Sequence, residues 1–102
     1  MDITLKSDGT ITGTNLTIDG ASVSNLKAVS FSCWHDMDRP YFSYSTETMQ
    51  DEDAGLIKVA TYYLVGPEMK KEMKDEDYKY IGQAKLNGGT VSLFETISYE
   101  HR

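Results

Sequence analysis

The residues of this chain that carry chemistry are few and bunched. Cys33 and His35 stand two apart, and Asp36 and Asp38 follow at once. A thiol beside an imidazole starts a nucleophilic pair, but the base then needs a third group to orient it. Cys33 instead continues the alternation of Val29 and Phe31, and a buried free cysteine behaves as a small apolar side chain. Metal binding is the other chemistry open to His35, Asp36 and Asp38, with Asp51, Glu52 and Asp53 as further ligands if the chain returns. A calcium loop takes oxygen ligands at its first, third, fifth and twelfth positions, with glycine sixth. Counted from Asp36, the fifth and sixth positions are Pro40 and Tyr41, and counted from Asp51 the twelfth is Tyr62. Both frames fail. A closed zinc site wants four nitrogen or sulfur ligands, and the chain offers Cys33, His35 and His101. No glycine-rich phosphate loop occurs. With sixteen acids in the chain, carboxylate pairs are inevitable and do not by themselves signal glycoside chemistry. The sequence therefore assigns no catalytic residue, no cofactor and no metal site, and it reads as a non-enzyme.

Adhesive chemistry is better represented. Trp34, Tyr41, Tyr44, Tyr62, Tyr63, Tyr78 and Tyr80 fall in or beside segments that alternate like strands. Both faces of a strand cannot all be core in a small protein, so part of this set reaches the surface. Exposed Tyr and Trp beside acids suit contact with protein or sugar. Ordinary cross-strand aromatic pairing is the plainer reading of the rest. The candidate partner-contact residues are Trp34, His35, Asp36, Asp38, Tyr41, Tyr44, Asp51 and Asp53.

These side chains need a scaffold, and the composition bounds it. The 102 residues, 39% hydrophobic and 25% charged, suit one globular domain over the whole chain, residues 1–102. Seven Tyr, three Phe and one Trp exceed what a solvated disordered chain carries. The net charge is −6, and each half of the chain contributes −3. That field repels phosphate, which excludes nucleic acid and an anionic membrane as expected partners. A basic patch on another protein, or self-association, remains. One cysteine allows no intrachain disulfide, which fits a reducing compartment. MDITLKSDG lacks the pattern of a signal peptide, so the expected location is cytoplasmic, or within a virion or similar assembly.

Along the chain, turn residues recur every ten or so positions. Ile3 and Leu5 open a first short strand. Asp8-Gly9 suits a two-residue hairpin turn, with the strand resuming over Thr10–Thr12. Gly13 then interrupts, because Ile11 and the pair Leu16 and Ile18 differ in phase, and a one-residue slip exchanges faces. Leu16–Ile18, Asp19-Gly20 and Ala21–Val23 form a second hairpin, with Leu16 opposite Val23 and Ile18 opposite Ala21. Ala28–Trp34 and Tyr41–Thr48 flank a polar loop containing Pro40, as two arms of a long hairpin. Leu56–Val65 is β-branched and aromatic on nearly both faces and is the expected central strand. Gly66-Pro67-Glu68 begins a short helix expected to reach about Asp75, with Met69 and Met73 as its apolar stripe. Tyr78–Leu86 is a strand with a bulge at Gly82. Thr90–Ile97 is the last strand, and Ser98–Arg102 is expected to fray.

The expected fold is mainly β, an antiparallel sandwich or barrel of about seven short strands with one short helix near residues 67–75. GTITGTNLTIDG, residues 9–20, is similar to β-rich pieces of phage and prophage structural proteins. That resemblance implies a structural or binding role of bacterial or phage type. The expected function is a small acidic binding protein, one version being an inhibitor or immunity-like protein. The alternatives are a structural subunit of a larger phage-like or cell-surface β assembly and a small carbohydrate-binding module.

Overall fold

The structure is a computed structural model that describes residues 2–32, 41–71, 73–74, 76–86 and 89–101. The described residues form two antiparallel sheets. The small sheet contains β1 (Ile3–Ser7), β2 (Thr14–Ile18) and β3 (Ala21–Ser22), in that order. The large sheet contains β4 (Leu26–Ser32), β5 (Tyr41–Asp51), β6 (Leu56–Val65), β7 (Lys79–Leu86) and β8 (Gly89–His101), ordered β4-β5-β6-β8-β7.

The second expected hairpin forms as read. Asp19 and Gly20 take φ values of 50° and 84°, the positive pair that a two-residue turn between twisted strands requires. Ile18 then pairs with Ala21, and the Val23 N–H donates to the Leu16 carbonyl at 2.9 Å. The first hairpin differs from expectation. Ser7 pairs with Thr14, so Thr10–Thr12 lie in a connecting loop and not in a strand. Local bonds decide this. The Asp8 carboxylate accepts from the Thr10 N–H at 2.9 Å and from its hydroxyl at 2.6 Å. The Thr10 hydroxyl oxygen accepts from the Gly13 N–H at 3.0 Å. Side chain-to-backbone bonds of this kind compete with ladder pairing and here prevail. The phase conflict between Ile11 and Leu16 disappears with it, because Ile11 is exposed loop.

In the large sheet, β4 and β5 pair from Ser32↔Tyr41 to Leu26↔Thr46, the expected long hairpin. The segment between them, 33–40, lies outside the described residues, as do Cys33 and Trp34 at the end of the expected strand. β6 is the central strand, bonded along its length to β5 and β8. A register shift between Tyr80 and Gly82 marks the expected bulge. Two further expectations fail. The helix is not seen beyond a single turn, Pro67–Lys70. A helix this short cannot meet its own nucleation cost in water, and Met73, half-buried against the sheet, follows it in coil. The Ser98–His101 tail does not fray but stays in β8, from Val59↔Ser98 to Leu56↔His101. Without it the first turn of β6 would have no partner on that side.

The large sheet is not a barrel, since β4 and β7 each pair on one side only. The small sheet lies on its inner face. Leu16 of β2 is 0% exposed and forms one buried cluster with Phe42, Leu64 and Val91. Ile3, Ile18 and Val23 pack around it from one sheet, and Val29, Tyr44 and Leu93 from the other. The outer face is covered differently. Lys27 of β4 and Glu100 of β8 form an ion pair at 2.8 Å, although β5 and β6 lie between them. Three strand spacings are about 14 Å in a flat sheet, and the registers set Glu100 about three residues, roughly 10 Å, further along β8 than the row of Lys27, together beyond the reach of the two side chains. The sheet therefore curls toward this face. Inside the curl, Ile57 and Val59 of β6 are only 3% and 7% exposed.

Leu16→Ala is expected to cost about 2–5 kcal/mol, because Leu16 is the fully buried anchor of the small sheet. Leu5→Ala, on the same sheet but exposed, should cost a small fraction of that. Urea unfolding of both variants tests the assignment, and equal losses would contradict it.

Candidate functional site

The aromatic side chains divide between the two faces of the large sheet by strand parity. On the inner face, Phe42, Tyr44 and Tyr62 run side by side, with centroids 6.1 Å and 5.1 Å apart. They extend the buried cluster. On the outer face, Tyr41, Tyr63, Tyr78, Phe94 and Tyr80 form a continuous row. Successive centroids are 6.3, 5.3, 6.4 and 5.5 Å apart, and the last three contacts are edge-to-face. Such geometry sets the positive edge of one ring on the negative face of the next.

The open end of this row is a groove of about 550 Å³, lined by Lys70, Met73, Tyr78, Lys79, Tyr80 and Phe94. Three elements build it. β8 supplies Phe94, which is buried and forms the floor. The start of β7 supplies Lys79 and Tyr80. The helical turn after β6 brings Lys70 over the Tyr80 ring, its ammonium 5.2 Å from the centroid, a cation–π contact. Gly66 starts that turn by accepting the Lys70 N–H at 3.0 Å. The groove thus joins exposed apolar ring surface to two cations, in a chain of net charge −6.

The residues singled out in the sequence are not gathered in one place. Trp34, His35, Asp36 and Asp38 lie outside the described residues. Tyr41 sits on the outer face at the far end of the aromatic row, and Tyr44 sits on the inner face, half-buried. Asp51 and Asp53 are exposed at the opposite end of β5 from Tyr41, roughly 33 Å along the strand. The Asp51 carboxylate accepts the Ala54 N–H at 3.2 Å, which shapes the turn into β6. Sequence reasoning named Tyr78 and Tyr80 but missed Lys70, Met73, Lys79 and Phe94 as their neighbours. Among the described residues, no three His, Cys, Asp or Glu side chains meet as metal ligands do. Among the described residues, no helix is long and apolar enough to cross a membrane. In comparisons with family models, curated proteins and solved structures, nothing matches this chain.

Burial raises the pKa of Tyr41 and Tyr44 above the ordinary phenol value, and the neighbouring phenols add to it. Tyr62 is raised by burial and by the Glu95 carboxylate beside it. A raised folded-state value means that the folded chain holds the phenol proton more tightly than the unfolded chain. Stability from this source is full below pH ~10 and is lost as pH rises through the folded-state values. Urea midpoints are therefore expected to fall above pH ~10, and less steeply in Tyr44→Phe. An alkaline profile unchanged by Tyr44→Phe would sink the assignment.

Proposed function

We propose that this chain is a small acidic β-sandwich protein, of bacterial or phage type, that acts by binding another protein and not by catalysis. The sandwich reading is supported by the small sheet lying over the inner face of the large one with a shared buried cluster. The binding reading is carried by the outer-face groove. Tyr80 there is 45% exposed beside Phe94, with Lys70 and Lys79 at the rim. Tyr and Trp lead among residues that anchor protein contacts, because a rigid ring buries much area at little conformational cost. The rim cations suit a carboxylate next to an apolar or aromatic anchor, and the rings receive the anchor itself. The rest of the surface, net negative, keeps the protein soluble and repels nucleic acid.

A second reading, a subunit of a larger β assembly joined by strand addition, is favoured by the outer edge of β8, on which no described strand lies beyond Glu95. A sugar stacked on Tyr80 is the remaining alternative, which a glycan array addresses.

The test is retention of a partner from native lysate on immobilised protein at low and high salt, compared with Tyr80→Ala and Lys70→Glu. The partner should be retained by the parent chain, weakened at least about tenfold by Tyr80→Ala, and lost at lower salt by Lys70→Glu. Unchanged retention by both variants, or no partner at either salt, would remove the reading.

A further inference from the structure

β8 is longer than the strand beside it. β7 stops pairing with it at Lys79↔Glu95, while β6 stays with it to Leu56↔His101. From Thr96 to His101, β8 is therefore bonded on one side, and among the described residues no strand lies on the other. We infer that this edge pairs with the same edge of a second copy of the chain, antiparallel, about a two-fold axis through Ser98.

A bare edge is a template for another strand, and proteins blunt the edges they keep solvated with lysines, prolines and bulges. The other two edges of this sheet each carry such features over part of their length. β4 carries Lys27 and a register shift between Leu26 and Ala28. β7 carries Lys79, Lys85 and a register shift between Tyr80 and Gly82. Thr96-Ile97-Ser98-Tyr99 has no charge, no proline and no bulge. Of the two charges that flank it, Glu95 lies in register with Lys79 and Glu100 is held by Lys27 at 2.8 Å on the outer face. Ile97 and Tyr99 are 45% and 58% exposed. They share the inner face, just past the area covered by the small sheet, beside Ala60 and Lys58 of β6.

The sequence of this edge is complementary to itself. A two-fold axis perpendicular to the sheet keeps the inner faces of both copies on one side, so facing residues must share a face. With the axis at Ser98, Ile97 of each copy faces Tyr99 of the other, an aromatic–β-branched pair made twice. Thr96 faces Glu100, and Ser98 faces its own copy. All five positions from Thr96 to Glu100 find partners within the free edge. Centring on Ile97 would set Tyr99 against Glu95, where β7 already pairs, and leave only Thr96, Ile97 and Ser98 to pair within the free edge. Centring on Tyr99 would set the two phenols against each other and pair Ile97 with His101. The Ser98 register joins two five-stranded sheets into one and removes a bare edge from each. It leaves the outer-face groove untouched, so it stands or falls independently of the binding reading.

Light scattering during size exclusion, at concentrations rising to millimolar, should show the mass climbing from 11.5 kDa toward twice that value. Ser98→Lys places two ammonium groups opposite each other and should raise the dimer dissociation constant at least about tenfold, with an unchanged circular dichroism spectrum. On a Cys33→Ser background, Ser98→Cys should form a covalent dimer on mild oxidation. Thr96→Cys should not, because its two copies would lie roughly 13 Å apart along the strands. A strictly monomeric chain at millimolar concentration overturns the inference. So does a dimer that Ser98→Lys leaves intact, or one that Thr96→Cys cross-links as readily as Ser98→Cys.

Discussion

β6 is apolar on both faces and bonded along both edges, and much of the rest of the chain is arranged to cover it. A strand of this kind needs two layers of cover, which a chain of 102 residues has to find by two different means. The inner face receives the small sheet. Its one fully buried side chain, Leu16, closes over Leu64 and its neighbours Phe42 and Val91. The outer face has no second sheet among the described residues. There the large sheet curls on itself, as the Lys27–Glu100 pair records, and a row of tyrosines with Phe94 and a single helical turn covers what the curl leaves open. The same curl explains why Ile57 is buried although it lies near the end of its strand.

The candidate sites lie where that cover runs out. At one end of the outer face, the aromatic row outlasts the backbone above it, and the groove between Tyr80, Phe94 and Lys70 remains. On the inner face, the small sheet ends before β8 does, and Ile97 and Tyr99 stay in solvent. Burying a strand core with so little chain leaves apolar surface somewhere, and contact with another molecule is the usual way such surface is used. The two places differ in character. The groove offers shape, rings and cations, whereas the β8 edge offers backbone hydrogen bonds and a self-matching sequence.

The acids have a quieter role than their number suggests. Asp8 closes the loop after β1 through Thr10, which also lowers its pKa. Asp19 occupies the turn before β3 and accepts the Asp2 N–H at 2.7 Å. Asp51 starts the turn before β6. These are the local bonds that make Asp a turn residue, and they account for several carboxylates without invoking a metal. Exposed pairs of this type add little stability individually. Their value lies in fixing where strands end and therefore which residues share a face.

The sequence by itself determined the strands whose signal is local. Leu56–Val65 is central because alternation fails on it, both parities being apolar. The Asp19-Gly20 hairpin is legible because two positive-φ residues stand between short alternating runs. The Gly82 bulge follows from a glycine inside a strand. What tertiary structure alone decided involves partners distant along the chain. Whether Thr10–Thr12 paired depended on a competition between Asp8 and the ladder. Whether Ser98–His101 frayed depended on β6, some forty residues earlier, offering an edge that only the finished sheet presents. Tyr41 and Tyr44 looked like neighbours in sequence and lie on opposite faces, while Lys70, Tyr80 and Phe94 meet only because β7 and β8 fold back beside the turn that follows β6. Periodicity records which face a residue takes within its strand. It carries no record of which strands lie adjacent, and a site made of several strands is decided at that level.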